Sequence, residues 1–97
     1  TDAALDAATL DRLLREAVSG TFNMLSVDTD TSTSDTCAIL ANGAAGPVDE
    51  AEFLRVLRAG CTRMTEILAR DGEGAEHLLR VSVRGALTAL EARVVAK

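Results

Sequence analysis

The chain has 97 residues and a mass of 10.1 kDa, and area scaling gives ~5300 Å² of folded surface against ~14,600 Å² unfolded, room for one modest core and not for two domains. A formal charge of −5, from 15 acidic and 10 basic side chains, sets the chain against phosphate backbones and excludes a nucleic-acid partner. Apolar residues make up 47 % but the only aromatics are Phe22 and Phe53, so the core rests on Leu, Val, Ile and Ala; no run approaches the ~18 apolar residues of a membrane span, and no secretion-signal layout opens the chain.

Leu10, Leu13, Leu14, Ala17 and Val18 recur at helical spacing. They predict a helix over 7–19, with Asp6 as N-cap and Gly20 as stop. Asn23 to Val27 is predicted as a short strand. Asp28 to Asp35 contains only Asp, Thr and Ser, side chains that bond their own backbone in loops. Thr36 to Ala41 is apolar without alternation, which predicts a strand covered on both faces. Asn42 to Pro47 is a turn.

The next helix has the strongest signals. Asp49 is a natural N-cap, with Glu52 three residues on and Val48 and Phe53 placed as a hydrophobic staple. Phe53, Val56, Leu57, Gly60, Cys61, Met64, Ile67 and Leu68 hold one face for about five turns, and Asp71-Gly-Glu-Gly74 ends the helix. Leu79, Val81 and Val83 then alternate with Arg80, Ser82 and Arg84, predicting a half-buried strand. A third helix begins near Thr88. The sum is an α/β domain of the α+β type: a two-layer sandwich of helices packed on a small mixed sheet, one domain over residues 1–97. Cys37 and Cys61 both sit in apolar runs and are expected to be buried thiols of a reducing cytosol. The missing initiator Met and the uncapped helical pattern at Lys97 lead us to expect a segment of a longer protein.

Four features are weighed for chemistry. The Asp28-Thr-Asp-Thr-Ser-Thr-Ser-Asp-Thr36 tract opens like a calcium loop, but Thr33 stands where the sharp turn needs Gly and Ile39 where a bidentate Glu belongs. It is expected to be a loop held by Asx and Ser/Thr turns. In Asp71-Gly-Glu-Gly-Ala75, glycines on both sides let the backbone turn sharply around Glu73. That carboxylate suits an amine ligand or a base role, or is an exposed Glu in a helix-ending turn. His77 is the only histidine, so no two-His metal site exists, and the two cysteines lack metal-ligand spacing. Thr1 has the form of an N-terminal nucleophile whose own amine acts as base, or is the first residue of a cut chain. No metal and no cofactor are expected.

Phe22-Asn-Met-Leu-Ser-Val-Asp-Thr-Asp-Thr-Ser-Thr-Ser-Asp-Thr36, Leu40-Ala-Asn-Gly43 and Asp71-Gly-Glu-Gly-Ala75 together resemble the β chain of the ornithine acetyltransferase family. Its members are also called arginine-biosynthesis bifunctional proteins or glutamate N-acetyltransferases. The resemblance runs from Thr1 to Lys97. Ser34 stands where many members carry Asn, and Thr29 where many carry Gly, which hints at the subgroup linked to antibiotic clusters such as clavulanic acid.

The resemblance implies a precursor that cleaves itself before a threonine. That threonine then takes acetyl from N-acetylornithine and passes it to glutamate by a ping-pong route through an acyl-enzyme. Thr1-Asp2 matches a Thr-Asp pair a few residues downstream of the family nucleophile. The nucleophile is therefore expected upstream of Thr1, and no catalytic residue within this stretch. Glu73 matches the family Glu that binds the substrate's amino acid moiety. Asp28, Asp30, Ser32, Thr33 and Asp35 form a candidate active-site loop without a catalytic role. The implied partners are the α chain of the same precursor, further αβ units of an oligomer and small amino acids; the implied location is the cytoplasm. A non-catalytic ligand-binding or subunit-interaction domain is the alternative.

Overall fold

The computed structural model describes residues 1–27, 34–72 and 74–96. Helix α1 (Ala7–Ser19) starts where the Asp6 carboxylate accepts a hydrogen bond from the Thr9 amide at 2.7 Å. This bond, made to the charged form, lowers the Asp6 pKa. Helix α2 (Glu50–Arg70) starts the same way, with Asp49 Oδ1 accepting from the Glu52 amide at 2.8 Å. At α3 (Ala89–Ala96) the cap is reciprocal: Thr88 Oγ1 accepts from the Glu91 amide, and Glu91 Oε2 accepts from the Thr88 amide.

The core lies between α1 and α2. Leu10, Leu13 and Ala17 of α1 are buried together with Cys61 of α2, Ala3 and Thr21. The hydroxyl of Thr21 donates to the Ala17 carbonyl at 2.8 Å, so its burial leaves no orphan polar atom. Two ion pairs cross the same seam, Arg58 to Glu16 at 2.6 Å and Arg12 to Glu50. Both are about half exposed, so they set the pairing of the helices more than their stability.

Residues 1–4 lie beside the turn that precedes α2. Ala4 N donates to Gly46 O at 2.9 Å, Ala45 N to Asp2 O at 2.7 Å and Asn42 N to Thr1 O at 3.2 Å. Gly43 and Gly46 have φ of 75° and 79°, the left-handed region that only glycine enters cheaply. The predicted turn over Asn42–Pro47 is therefore what holds the start of the chain.

The structure corrects the predicted sandwich of helices on a small mixed sheet. Among the described residues the elements are helices, with no strand and one isolated bridge, Ala3 to Gly46. Phe22–Met24 is a 3-10 helix where a strand is predicted. The segments 36–41 and 78–83 form no ladder. Alternating or continuous hydrophobicity marks which faces seek cover, but a strand also needs a hydrogen-bonding neighbour. Among the described residues the first segment has a single backbone partner, the Thr1 nitrogen on Leu40 O, and the second has none; Leu40 and Leu79 are each 83 % exposed.

Two further expectations change. Cys61 is buried, whereas Cys37 is exposed, in a run of which Ile39 and Ala41 are half-buried. The apolar stripe of α2 splits: Phe53, Leu57 and Cys61 turn inward, while Val56, Met64, Ile67 and Leu68 stay about half exposed. The folded surface of 7479 Å² exceeds the ~5300 Å² of a compact chain this size. The radius of gyration of 15.5 Å likewise exceeds the ~12.5 Å expected.

Leu13→Ala should lower the unfolding free energy by about 2–5 kcal/mol, since its side chain is wholly enclosed. Asp49→Ala should cost about 1 kcal/mol through loss of the α2 cap. Denaturant titration of the two variants against the parent protein reads both, and Leu13→Ala should be clearly the more costly.

Candidate functional site

Asp28, Asp30, Ser32, Thr33 and Glu73 lie outside the described residues. Asp35 is exposed at the end of its tract. The described borders of the two motifs meet. Gly72, which precedes Glu73 in the chain, packs so close to Val27, which precedes Asp28, that a Cβ on Gly72 would stand 2.9 Å from Val27 Cγ1. Beyond it the chain turns: Ala75 N donates to Gly72 O at 2.9 Å and Gly74 has φ of 73°. The glycines that flank Glu73 in sequence thus do different work, one by small size and the other by left-handed backbone. His77 is exposed on the segment that follows.

Thr1 is engaged on all its polar groups. Its ammonium donates to Leu40 O at 2.8 Å, its Oγ1 accepts from Ala3 N at 3.3 Å and its carbonyl accepts from Asn42 N.

Two depressions flank α1. One, of about 400 Å³, is an apolar groove between Leu5, Leu10 and Leu14 on one wall and residues 38–41 on the other. The second, about 390 Å³, lies between Ser19, Asn23, Met24, Arg93 and Val94. There the Arg93 guanidinium donates to the Ser19 carbonyl at 2.7 Å and to its hydroxyl at 3.2 Å, tying α3 to the end of α1. No group of three or more His, Cys, Asp or Glu side chains suited to a metal occurs among the described residues. No helix among them is long and apolar enough to cross a membrane.

Sequence reasoning did not find the long-range polar partners. Glu66 pairs with Arg80 as well as with Arg63, which ties the segment after α2 back to it. Burial raises the pKa of the Cys61 thiol, leaving it less reactive. The i,i+3 pair Arg63–Glu66 has a visible spacing signal. Glu16–Arg58 and Arg93–Ser19 have none, because they depend on how the helices dock.

The ArgJ family profile matches residues 1–97. The arginine biosynthesis bifunctional protein ArgJ of Rhodococcoides fascians is 50 % identical over 97 residues, all of this chain and 24 % of that protein. Glutamate N-acetyltransferase Oat2 of Streptomyces clavuligerus is 48 % identical over the whole chain and 25 % of its own length. The crystal structure of ArgJ from Bacillus halodurans superposes with a TM-score of 0.90 at 37 % identity, over 97 % of this chain and 47 % of that one. The chain thus spans about a quarter of the length of the curated relatives it matches. Matched from its first residue to its last, the chain belongs to the ArgJ family.

Proposed function

We propose that this stretch is part of an amino acid N-acetyltransferase that moves acetyl from N-acetylornithine to glutamate by a ping-pong route. In this reading the nucleophile is a threonine upstream of Thr1, freed by self-cleavage of a precursor, and the α chain of that precursor completes the site. The αβ units assemble further, and the enzyme works in the cytoplasm. The carrying observation is the family match over all 97 residues with half of them identical in one relative. The name glutamate N-acetyltransferase, borne by a relative 48 % identical, supports the acyl-transfer chemistry. Because that relative comes from Streptomyces clavuligerus, membership of the subgroup tied to clavulanic acid clusters stands beside the arginine pathway. The Bacillus halodurans chain is filled to 47 % by the stretch that fills only 24 % of a full curated relative. A crystal chain of about half length agrees with a precursor in two parts.

Glu73 is assigned to the substrate's amino acid moiety, where a carboxylate facing an ammonium makes a charge-assisted hydrogen bond. The tract with Asp28, Asp30, Ser32, Thr33 and Asp35 borders the site and does no chemistry. The close approach of Gly72 to Val27 joins the two motifs and supports a shared location. Thr1 is held by the backbone of Leu40, Ala3 and Asn42, and in this reading its role is scaffolding.

In the full-length enzyme, Glu73→Gln should raise KM for the acetyl donor or the acceptor about tenfold or more, since a hydrogen bond to a charged group contributes about 1.5–3 kcal/mol. The unfolding midpoint should hardly move. Unchanged steady-state kinetics for both substrates would refute the assignment and favour a non-catalytic interaction domain. Gly72→Ala should destabilise by about 1–3 kcal/mol, because its methyl group has to displace Val27. Thermal unfolding measures this, and an unshifted midpoint would mean the contact has room to yield.

A further inference from the structure

The hydrogen bonds at Thr1 have a direction. Thr1 N donates to Leu40 O at 2.8 Å, and Asn42 N donates to Thr1 O at 3.2 Å. One residue bonding to the carbonyl before and the amide after a single opposite residue is the pattern of a parallel pair. It sets Thr1 against Ala41. We infer that the residues joined to Thr1 in the longer protein continue this pairing as an extended segment along Leu40, Ala38 and Thr36, each step upstream moving one residue back towards Asp35.

Three observations fit that occupant. The backbones of Cys37, Ala38 and Ile39 have no hydrogen-bond partner among the described residues, a costly state once covered and a ready template for a further extended segment. The apolar groove of about 400 Å³ runs beside this edge, between residues 38–41 and Leu5, Leu10 and Leu14. It takes apolar side chains, so alternate residues of the incoming segment should be apolar. The curated relatives are about four times as long as this chain, which supplies the length.

In a parallel pair only every second residue of each edge bonds to its neighbour. With Thr1 against Ala41, the amides of Leu40 and Ala38 donate to the upstream segment, and the carbonyls of Ala38 and Thr36 accept from it. The residue four places before Thr1 falls opposite Cys37, whose thiol is free and exposed here. The pairing deepens the proposed function by carrying an upstream threonine towards Asp35 and the tract before it. It needs only the longer chain and not the acetyl transfer, and it concerns one extended pair, leaving the helical arrangement as it is.

The test uses the full-length parent protein and reads no activity. Neighbouring parallel strands stand ~4.8 Å apart, within the ~4.4–6.8 Å Cα separation of a disulfide. Replacing the residue four places before Thr1 with cysteine should let mild oxidation join it to Cys37, seen as a linked peptide by non-reducing mass spectrometry. Cysteine three or five places before Thr1 should link at least several-fold more slowly, and Cys37→Ser should abolish the product. In the unsubstituted protein, the Ala38 and Leu40 amides should exchange with deuterium at least 100-fold more slowly than in an unstructured peptide. A linking maximum at another offset overturns the register. Unprotected amides at Ala38 and Leu40 overturn the pairing, even where the cysteine variants fail to fold. Register and protection are read without any assay of acetyl transfer, so failure of the acetyltransferase reading leaves the pairing standing.

Discussion

Among the described residues the seam between α1 and α2 is where the chain excludes water, and the rest of the fold hangs from it. Leu10, Leu13 and Ala17 close on Cys61, with Ala3 and Thr21 at the ends. At ~25 cal/mol per Å² of apolar surface, so few enclosed side chains stabilise only modestly. The ion pairs across the seam are half exposed and add orientation. What the seam does supply is a fixed frame. It sets the turn at Gly43 and Gly46 against residues 1–4, and it sets the end of α2 at Gly72 against Val27.

That frame brings together Val27 and Gly72, the described borders of two motifs far apart in sequence. Val27 leads into the Ser/Thr/Asp tract and Gly72 into Glu73, and only a residue without a side chain fits at the meeting point. This contact depends on backbone proximity and the absence of a side chain at Gly72. The family match runs over the whole chain, which spans about a quarter of the relatives' length.

The helices were legible in the sequence because their signals are local. Asp6 and Asp49 cap as their spacing predicts, and α1 keeps its predicted bounds. The strands misled because the same apolar letters say nothing about a neighbour. Leu79, Val81 and Val83 alternate as a strand should, yet nothing among the described residues pairs with them. Cys37 misled for the same reason: an apolar run predicts cover without saying who provides it. At the candidate site, the glycines around Glu73 were legible as a turn. The approach of Gly72 to Val27 was not, because no spacing rule connects residues on different elements.

The surplus of exposed apolar surface has a thermodynamic side. Heat capacity and denaturant sensitivity both scale with the area uncovered on unfolding. A stretch that already shows 7479 Å² when folded has comparatively little left to uncover. By itself it would melt over a broad range and respond shallowly to urea. The sharp, cooperative transition of a well-packed enzyme would have to come from surfaces such as Leu40, Leu79 and Leu87 gaining cover from the rest of the protein.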